Sequence, residues 1–262
     1  MQSIDLCDIV TVEYTPSQDK RIEIICDDPE IPTNEKNIAY KAADKLISCG
    51  QIKINIKKNI PSKAGMAGGS ADAAATLVAL NKAASLGLSE DKLTEIGATI
   101  GADVPFCIKG GTCLVTGIGE KLEKLEDIPK IPLVITKMSD GMSTPEAYRK
   151  LDVKYNNFCD YSVHQNALNS VINYCDLKEK SSPYELFNIF EDTVGEECQS
   201  IHTLKEILLQ NGAIRAMMSG SGTAVFGIFD SPKEAEKTAQ LLSNKGIFAT
   251  VSFPSESGIE II

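Results

Sequence analysis

The stretch Pro61-Ser62-Lys63-Ala64-Gly65-Met66-Ala67-Gly68-Gly69-Ser70-Ala71 packs three glycines into five residues. An alternating run leads into it and an alanine-rich run leaves it, so the glycines abut a helix start. The first turn of a helix presents free N–H groups and a partial positive charge. Glycines without Cβ atoms let a bulky anion approach the backbone closely. Together these features suit a phosphate cradle. A turn that only joins strand to helix is the alternative, and three glycines beside the helix start weigh against it. Two further stretches carry chemistry-bearing residues. Asp103 lies in Ile100-Gly101-Ala102-Asp103-Val104-Pro105-Phe106-Cys107, between a glycine and an apolar run, where a turn or capping role is the alternative. A second glycine loop, Ser219-Gly220-Ser221-Gly222-Thr223, precedes the apolar run Ala224-Val225-Phe226.

Known loop patterns narrow the choice. A Walker A loop ends Gly-Lys-Ser/Thr, whereas this one ends Gly-Gly-Ser. The dinucleotide fingerprint begins G-x-G, and Gly65-Met66-Ala67 breaks it. A hydrolase elbow needs G-x-S-x-G, and Ser219 stands two before Ser221. The order Pro-x-x-Ala-Gly-Met-Ala-Gly-Gly-Ser-Ala-Asp-Ala-Ala instead resembles the ATP loop of the GHMP kinases. That superfamily includes galactokinase, homoserine kinase, mevalonate kinase and phosphomevalonate kinase. Gly-Ala-Asp-Val-Pro-Phe and the loop at Gly220–Gly222 resemble its other two signatures, in the family's order.

The resemblance implies an α+β fold of two domains, with the active site in the cleft between them. It implies ATP and Mg²⁺ as cofactors, with Pro61 to Ala71 around the triphosphate and Ser70 helping to orient the metal ion. Asn37 resembles the family's residue near adenine, with a polar helix-start role as the alternative. Asp103 would be the general base. Thr144, Tyr148, Gly220, Ser221 and Gly222 would border the substrate or close the site. The Gly-Gly-Ser-Ala-Asp-Ala-Ala ending is most like the branch that phosphorylates the 2-hydroxyl of 4-diphosphocytidyl-2-C-methyl-D-erythritol, in non-mevalonate isoprenoid synthesis. Two family motifs, Ala-Lys-Ile-Asn-Leu and Asp-Gly-Tyr-His, do not occur in this sequence. The opening Met-Gln-Ser-Ile-Asp-Leu-Cys-Asp resembles an interior passage of the family, so the chain reads as truncated at its N-terminus. A truncated, non-catalytic nucleotide-binding remnant and a GHMP kinase for another small alcohol are therefore the competing readings.

These residues need elements to position them. Ile52, Ile54 and Ile56 alternate with Lys53, Asn55 and Lys57, which predicts a half-buried strand ending before Pro61. A helix is expected from Ser70, with Ala74, Leu77, Val78 and Asn81 on one face and Gly87 ending it. Ser89-Glu90-Asp91 starts another, running toward Thr99. The run Ile4 to Val12 and a second strand, Arg21 to Cys26, read as a hairpin, Asn37 to Ser48 as a helix. Val104–Ile108 and Thr112–Thr116 read as strands joined by a two-glycine turn. The domain boundary is placed near residue 128, giving domains 1–128 and 129–262. Beyond it come a strand Leu133–Thr136, a helix capped by Thr144 with Pro145 at its first position, and patchy helix over Asn157 to Ser182 including His164. Leu186 to Glu191 resembles the family's N-x-hydrophobic-E helix. Ile201–Leu209 is amphipathic, and the chain closes with helix Pro232–Leu242 and strand Phe248–Ser252.

Composition sets the outer bounds. The 262 residues are 43% hydrophobic, enough for one large core or two modest ones. A net charge of -10 disfavours nucleic acid and anionic membranes as partners. The resemblance implies a small-molecule substrate, and the expected state is a monomer or homodimer. No apolar run is long enough to span a bilayer, and no signal-peptide pattern opens the sequence. Eight dispersed cysteines without a C-x-x-C pair, beside two histidines, suggest reduced thiols in a cytoplasm and no structural zinc.

Overall fold

The computed structural model describes residues 1–138, 142–155 and 186–262. The stretch expected to be helical from Asn157 to Ser182, with His164, lies outside them. The chain forms two compact units. The first comprises Met1–Ser62, Ala67–Asp127 and Pro254–Ile262, and the second Lys63–Met66 and Ile128–Phe253.

The first unit is built on the strand that alternates isoleucine with polar residues. Strands β1 (Ile9–Thr15), β2 (Lys20–Cys26) and β3 (Gly50–Lys57) form a sheet in the order β1-β3-β2. Ile52, Ile54 and Ile56 of β3 are buried, so the most regularly apolar strand takes the centre. The expected β1–β2 hairpin is thus corrected: β3 pairs antiparallel with β1 and parallel with β2. A parallel pair needs a crossover. Helix α1 (Ile38–Leu46) supplies it between β2 and β3 and buries Ala39, Ala42 and Ala43.

Helix α2 (Gly68–Ala83) begins two residues earlier than expected, so Gly68 and Gly69 belong to its first turn. It is buried over a wide arc, at Ala73, Ala74, Thr76, Leu77 and Leu80. It packs against α1 and β1 on one side and a short helix near residue 106 on another. Small side chains permit that close packing. Its end also departs from expectation: the left-handed residue that closes it is Ser85, with φ 52°, and Gly87, left-handed too at φ 67°, lies two residues further on. Ser85 N–H reaches Lys82 O and Leu86 N–H reaches Asn81 O, the paired bonds of a Schellman end. Helix α3 (Glu90–Ala98) follows, with the Ser89 hydroxyl accepting from Lys92 N as expected.

Val104–Ile108 is not a strand. It lies in α4 (Val104–Lys109), with all five of those residues buried. A short apolar run has no period that separates strand from buried helix, and Pro105 fits a first helical turn. Gly110, at φ 68°, ends the helix rather than turning a hairpin. The hairpin falls one element later, between β4 (Cys113–Thr116) and β5 (Lys121–Lys124). The last residues, Pro254–Ile262, return to this unit, where Ile4 bridges Pro254 and Ser255 N–H bonds Ser3 O.

The second unit is an antiparallel sheet with helices packed on it. Its strands are β6 (Leu133–Lys137), β7 (Arg215–Met218), β8 (Val225–Ile228) and β9 (Phe248–Ser252), in the order β7-β8-β6-β9. The helices are α5 (Thr144–Lys154), α6 (Val194–Glu197), α7 (Gln199–Gln210) and α8 (Pro232–Ser243). Ile201, Leu204 and Leu208 from α7 and Leu242 from α8 meet Val134, Val225 and Phe229 in one core. Ser143 occupies the cap position of α5, so Thr144 is its first residue and Pro145 its second, one place on from expectation. The segment Leu186 to Glu191 holds only a 3-10 turn, Ile189–Asp192. Among the described residues no helix is long and apolar enough to cross a membrane.

Gly110 illustrates how tightly the C-terminal segment is fitted. A Cβ there would overlap Gly258 N and lie 2.6 Å from Gly258 Cα, at a φ that side chains avoid. Gly110→Ala is expected to destabilise the protein by about 1–3 kcal/mol. A lowered urea midpoint at unchanged slope checks it.

Candidate active site

The glycine loop leaves β3 through residues held by three carboxylates, of which that of Asp8 is buried. Asp8 Oδ1 accepts from Asn59 N (2.6 Å) and Ile60 N (2.8 Å). Asp27 Oδ1 accepts from Lys58 N at 2.8 Å, and Asp28 Oδ2 from Ser62 Oγ at 2.6 Å. The Lys58 ammonium donates to Asp8 Oδ2 and, at 2.9 Å, to Asp72 Oδ2. Asp72 belongs to the first part of α2. One lysine therefore joins the outgoing strand to the incoming helix. Its side chain is 7% exposed, those of Asp8 and Asp72 2% and 3%.

Two carboxylates share this one ammonium unequally. Asp8 also has two backbone donors, whereas Asp72 Oδ1 is buried without a partner. Burial raises the Asp72 pKa to about 7; Lys58 opposes that rise and Asp8 adds to it. Burial alone would lower the Lys58 pKa, but Asp72 and Asp8 outweigh it and the value lies above that of an ordinary lysine.

Between these stems the backbone is unusual. Lys63, Gly65 and Ala67 have φ of 51°, 69° and 54°, with no positive φ at Ala64 or Met66 between them. Alternation of this kind turns successive N–H groups toward one concavity, the geometry of anion nests. For Lys63 and Ala67 the left-handed conformation costs of order 1–3 kcal/mol each. Ala67 is also the residue before α2, and no side chain caps that helix. Its first N–H groups thus remain for another acceptor.

Lys63–Met66 also engages the second glycine loop, within the second unit. Ser219 Oγ donates to Gly65 O (3.0 Å), and Ala224 N to Ala64 O (3.1 Å). A Cβ on Gly65 would overlap Ser219 O and stand 2.6 Å from Gly222 N; one on Gly220 would stand 2.7 Å from Gly65 O. Glycine is required where these backbones meet. Ser221 is buried, and its hydroxyl lies 3.0 Å from that of Thr144. Tyr148 stacks edge-on against Phe190 at 5.0 Å and stays half exposed.

Asp103 sits at the cap position of α4 without making the capping bond. Its half-buried carboxylate has no hydrogen-bond or ion-pair partner among the described residues, and burial raises its pKa above the ordinary aspartate value. Gly101, two residues before it, lies beside Ser70: a Cβ there would be 3.9 Å from Ser70 Oγ. The Ser70 hydroxyl likewise has no partner among those residues. Asn37 is otherwise committed, as Oδ1 caps α1 through Ala39 N and Nδ2 donates to Pro32 O. Among the described residues no group of three or more His, Cys, Asp or Glu is arranged to hold a metal.

Sequence reasoning missed Asp8, Lys58 and Asp72. A signal existed: Asp72 is the one acid in a run of alanines that must be buried.

A nest-like backbone, glycine-only contacts and a carboxylate without a partner among the described residues define a class when set against known proteins. Residues 37–111 match the model of the GHMP kinases N terminal domain, and residues 176–247 that of the GHMP kinases C terminal domain. The chain belongs to the GHMP kinases, a family of ATP-dependent small-molecule kinases. It is 40% identical to the 4-diphosphocytidyl-2-C-methyl-D-erythritol kinase of Clostridium perfringens, over 96% of this chain and 86% of that one. To the enzyme of that name from Caldanaerobacter subterraneus it is 37% identical, over 100% and 89%. A crystal structure of 4-(cytidine 5'-diphospho)-2C-methyl-D-erythritol kinase superposes with TM-score 0.73 at 26% identity, covering 96% of this chain and 87% of that one. The homoserine kinase of Cytophaga hutchinsonii shares the fold, with TM-score 0.76 at 19% identity, over 100% and 90%.

The buried Lys58 makes two predictions. Lys58→Met leaves Asp8 and Asp72 buried without their cation, and is expected to cost about 3–5 kcal/mol in urea unfolding. Because Asp72 is raised in the folded state, the folded protein binds more protons than the unfolded chain between the ordinary aspartate value and about 7. Its contribution to stability is therefore lost as pH rises through that window. Asp72→Asn is expected to flatten the fall in unfolding free energy between pH 5 and 8, and an unchanged slope would exclude Asp72 as its source.

Proposed function

We propose that this chain transfers the γ-phosphoryl group of ATP to the 2-hydroxyl of 4-diphosphocytidyl-2-C-methyl-D-erythritol. Relatives of that name at about 40% identity, matched over nearly the whole chain, support the substrate. Likeness to homoserine kinase at 19% identity concerns the fold alone and gives no ground for another alcohol. The observation that carries the chemistry is Asp103, a half-buried carboxylate with a raised pKa and no partner among the described residues.

Phosphoryl transfer asks a protein for positioning and charge neutralisation more than covalent help. Backbone N–H groups from Gly65 to Ser70 would receive the phosphates, helped by the uncapped start of α2. Pro61 to Met66 and Ala71 shape that cradle, and Asn37 serves it indirectly by fixing the start of α1. Gly220 and Gly222 permit the close backbone approach at Gly65, while Thr144, Tyr148 and Ser221 are candidates for the acceptor side. Mg²⁺ takes one or two protein oxygens beside substrate phosphates and water, so it needs no protein cage. The free hydroxyl of Ser70, next to the cradle, fits that demand and would help hold it; when bound it neutralises phosphate charge. Asp103 accepts the proton of the attacking hydroxyl on a carboxylate oxygen that no neighbour among the described residues occupies.

ADP release with ATP, Mg²⁺ and 4-diphosphocytidyl-2-C-methyl-D-erythritol present tests the reading. Asp103→Asn is expected to keep ATP affinity by calorimetry and to lower kcat by about 10²–10⁴-fold. Asp103 must be ionised to act, so kcat/KM should fall toward acid with a midpoint above the ordinary aspartate pKa of about 3.9. A variant that turned over like the wild type would remove Asp103 from this role.

A further inference from the structure

Among the described residues β7 is an edge strand, paired on one side with β8. In an antiparallel strand one residue's N–H and C=O point to the same side, and an unpaired edge leaves such groups open. At Met218, the last residue of β7, both are taken by side chains from the 3-10 turn region. Glu191 Oε1 accepts from Met218 N (2.7 Å), and Asn188 Nδ2 donates to Met218 O (2.8 Å). The same Nδ2 donates to Gly220 O (2.8 Å), inside the second glycine loop. Asn188 Oδ1 accepts from Phe190 N (3.0 Å), so the amide is fixed in orientation. The other Glu191 oxygen pairs with Lys205 Nζ on α7 at 2.6 Å.

We propose that Asn188 and Glu191 are positioning residues for nucleotide binding: they set the backbone of residues 218–220, and through it the segment Ala64–Gly65. The inference rests on the kinase reading above. Its physical basis is continuity. Three bonds from this pair end on Met218 and Gly220. The loop they hold carries on, by Ser219 Oγ to Gly65 O and Ala224 N to Ala64 O, into the strained stretch of the cradle. At Gly65 and Gly220 there is no slack, since even a Cβ would collide across the contact. A shift of residues 218–220 must therefore displace the N–H groups around Gly65. Neither Asn188 nor Glu191 needs to touch the nucleotide.

The test measures the dissociation constant of a non-hydrolysable ATP analogue with Mg²⁺, KM and kcat, and the urea midpoint, all on the full chain. Asn188→Ala removes two bonds to the loop and is expected to weaken the analogue about tenfold or more. Asn188→Asp keeps the acceptor for Phe190 N but sets a carboxylate against two carbonyls, and should bind no better. Glu191→Gln retains an acceptor for Met218 N and should recover most of the affinity that Glu191→Ala loses. Asn211→Ala, which loses a bond to Ile207 O at the end of α7, is the control for destabilisation alone. It should lower the urea midpoint and leave affinity as it was. Affinities of Asn188→Ala and Glu191→Ala within about twofold of a wild type that binds normally would overturn the proposal and spare the kinase reading. If Asn188→Ala does not fold, the Glu191→Gln and Glu191→Ala pair decides, and equal affinity for both overturns it. A wild type that binds no analogue overturns the kinase reading itself, and this proposal with it.

Discussion

A single buried ammonium holds the stems of the first glycine loop in shape. Lys58 stands where β3 gives way to the loop, and its two carboxylate partners come from the stretch before β1 and from α2. Burying one lysine with two acids is costly unless the hydrogen bonding is nearly complete. It is nearly complete at Asp8, which also takes the N–H groups of Asn59 and Ile60. It is incomplete at Asp72, whose second oxygen has no partner. The arrangement contributes little net stability by comparison with an apolar core, but it specifies geometry. Strand exit and helix start are fixed to each other by directional bonds, which a patch of isoleucine and alanine could not do.

That fixing makes the strained backbone tolerable. Three left-handed residues in five, two of them not glycine, would relax in a loop with free ends. Here the stem at Ser62 is tied to Asp28, the stem at Ala67 enters α2, and Ala64 and Gly65 are bonded to the second glycine loop. The energy stored in φ is thus offset by contacts outside the strained residues. On the proposed kinase reading, what is gained is a row of N–H groups that need not reorganise when a phosphate arrives. Preorganised donors of this kind are the usual source of charge stabilisation in phosphoryl transfer.

How much of this was legible in the sequence depends on the range of the interaction. The isoleucine alternation of β3, the glycine loop, the Ser89 cap and the closing helix and strand are local patterns, and each lies where its residues predict. Errors arose where local rules are silent. The period of Val104–Ile108 cannot separate a strand from a buried helix, so burial on several sides decided it. The order β1-β3-β2 follows from which strand is most apolar, a comparison among strands that no single strand contains. Ser85 takes the closing left-handed position of α2, two residues before the glycine, and no local rule favours serine there. Lys58, Asp8 and Asp72 are separated by 50 and 14 residues along the chain, and no spacing rule connects them. Asn188 and Glu191 were noticed only as a resemblance, since their partners are backbone atoms some thirty residues away.

The contrast between Asp72 and Asp103 shows why burial alone does not mark a functional acid. Both are raised by desolvation. Asp72 is almost wholly enclosed and spends one oxygen on Lys58, so its proton chemistry is turned inward, toward the shape of the loop. Asp103 is only half-buried, sits at a helix start without capping it, and has no partner among the described residues. Burial enough to raise basicity, with exposure enough to admit a hydroxyl, is the compromise a general base requires. Capping would have been the ordinary use of an aspartate at that position, and a capped carboxylate would be both less basic and sterically engaged. That Asp103 forgoes the bond is the local irregularity on which its proposed role as general base rests.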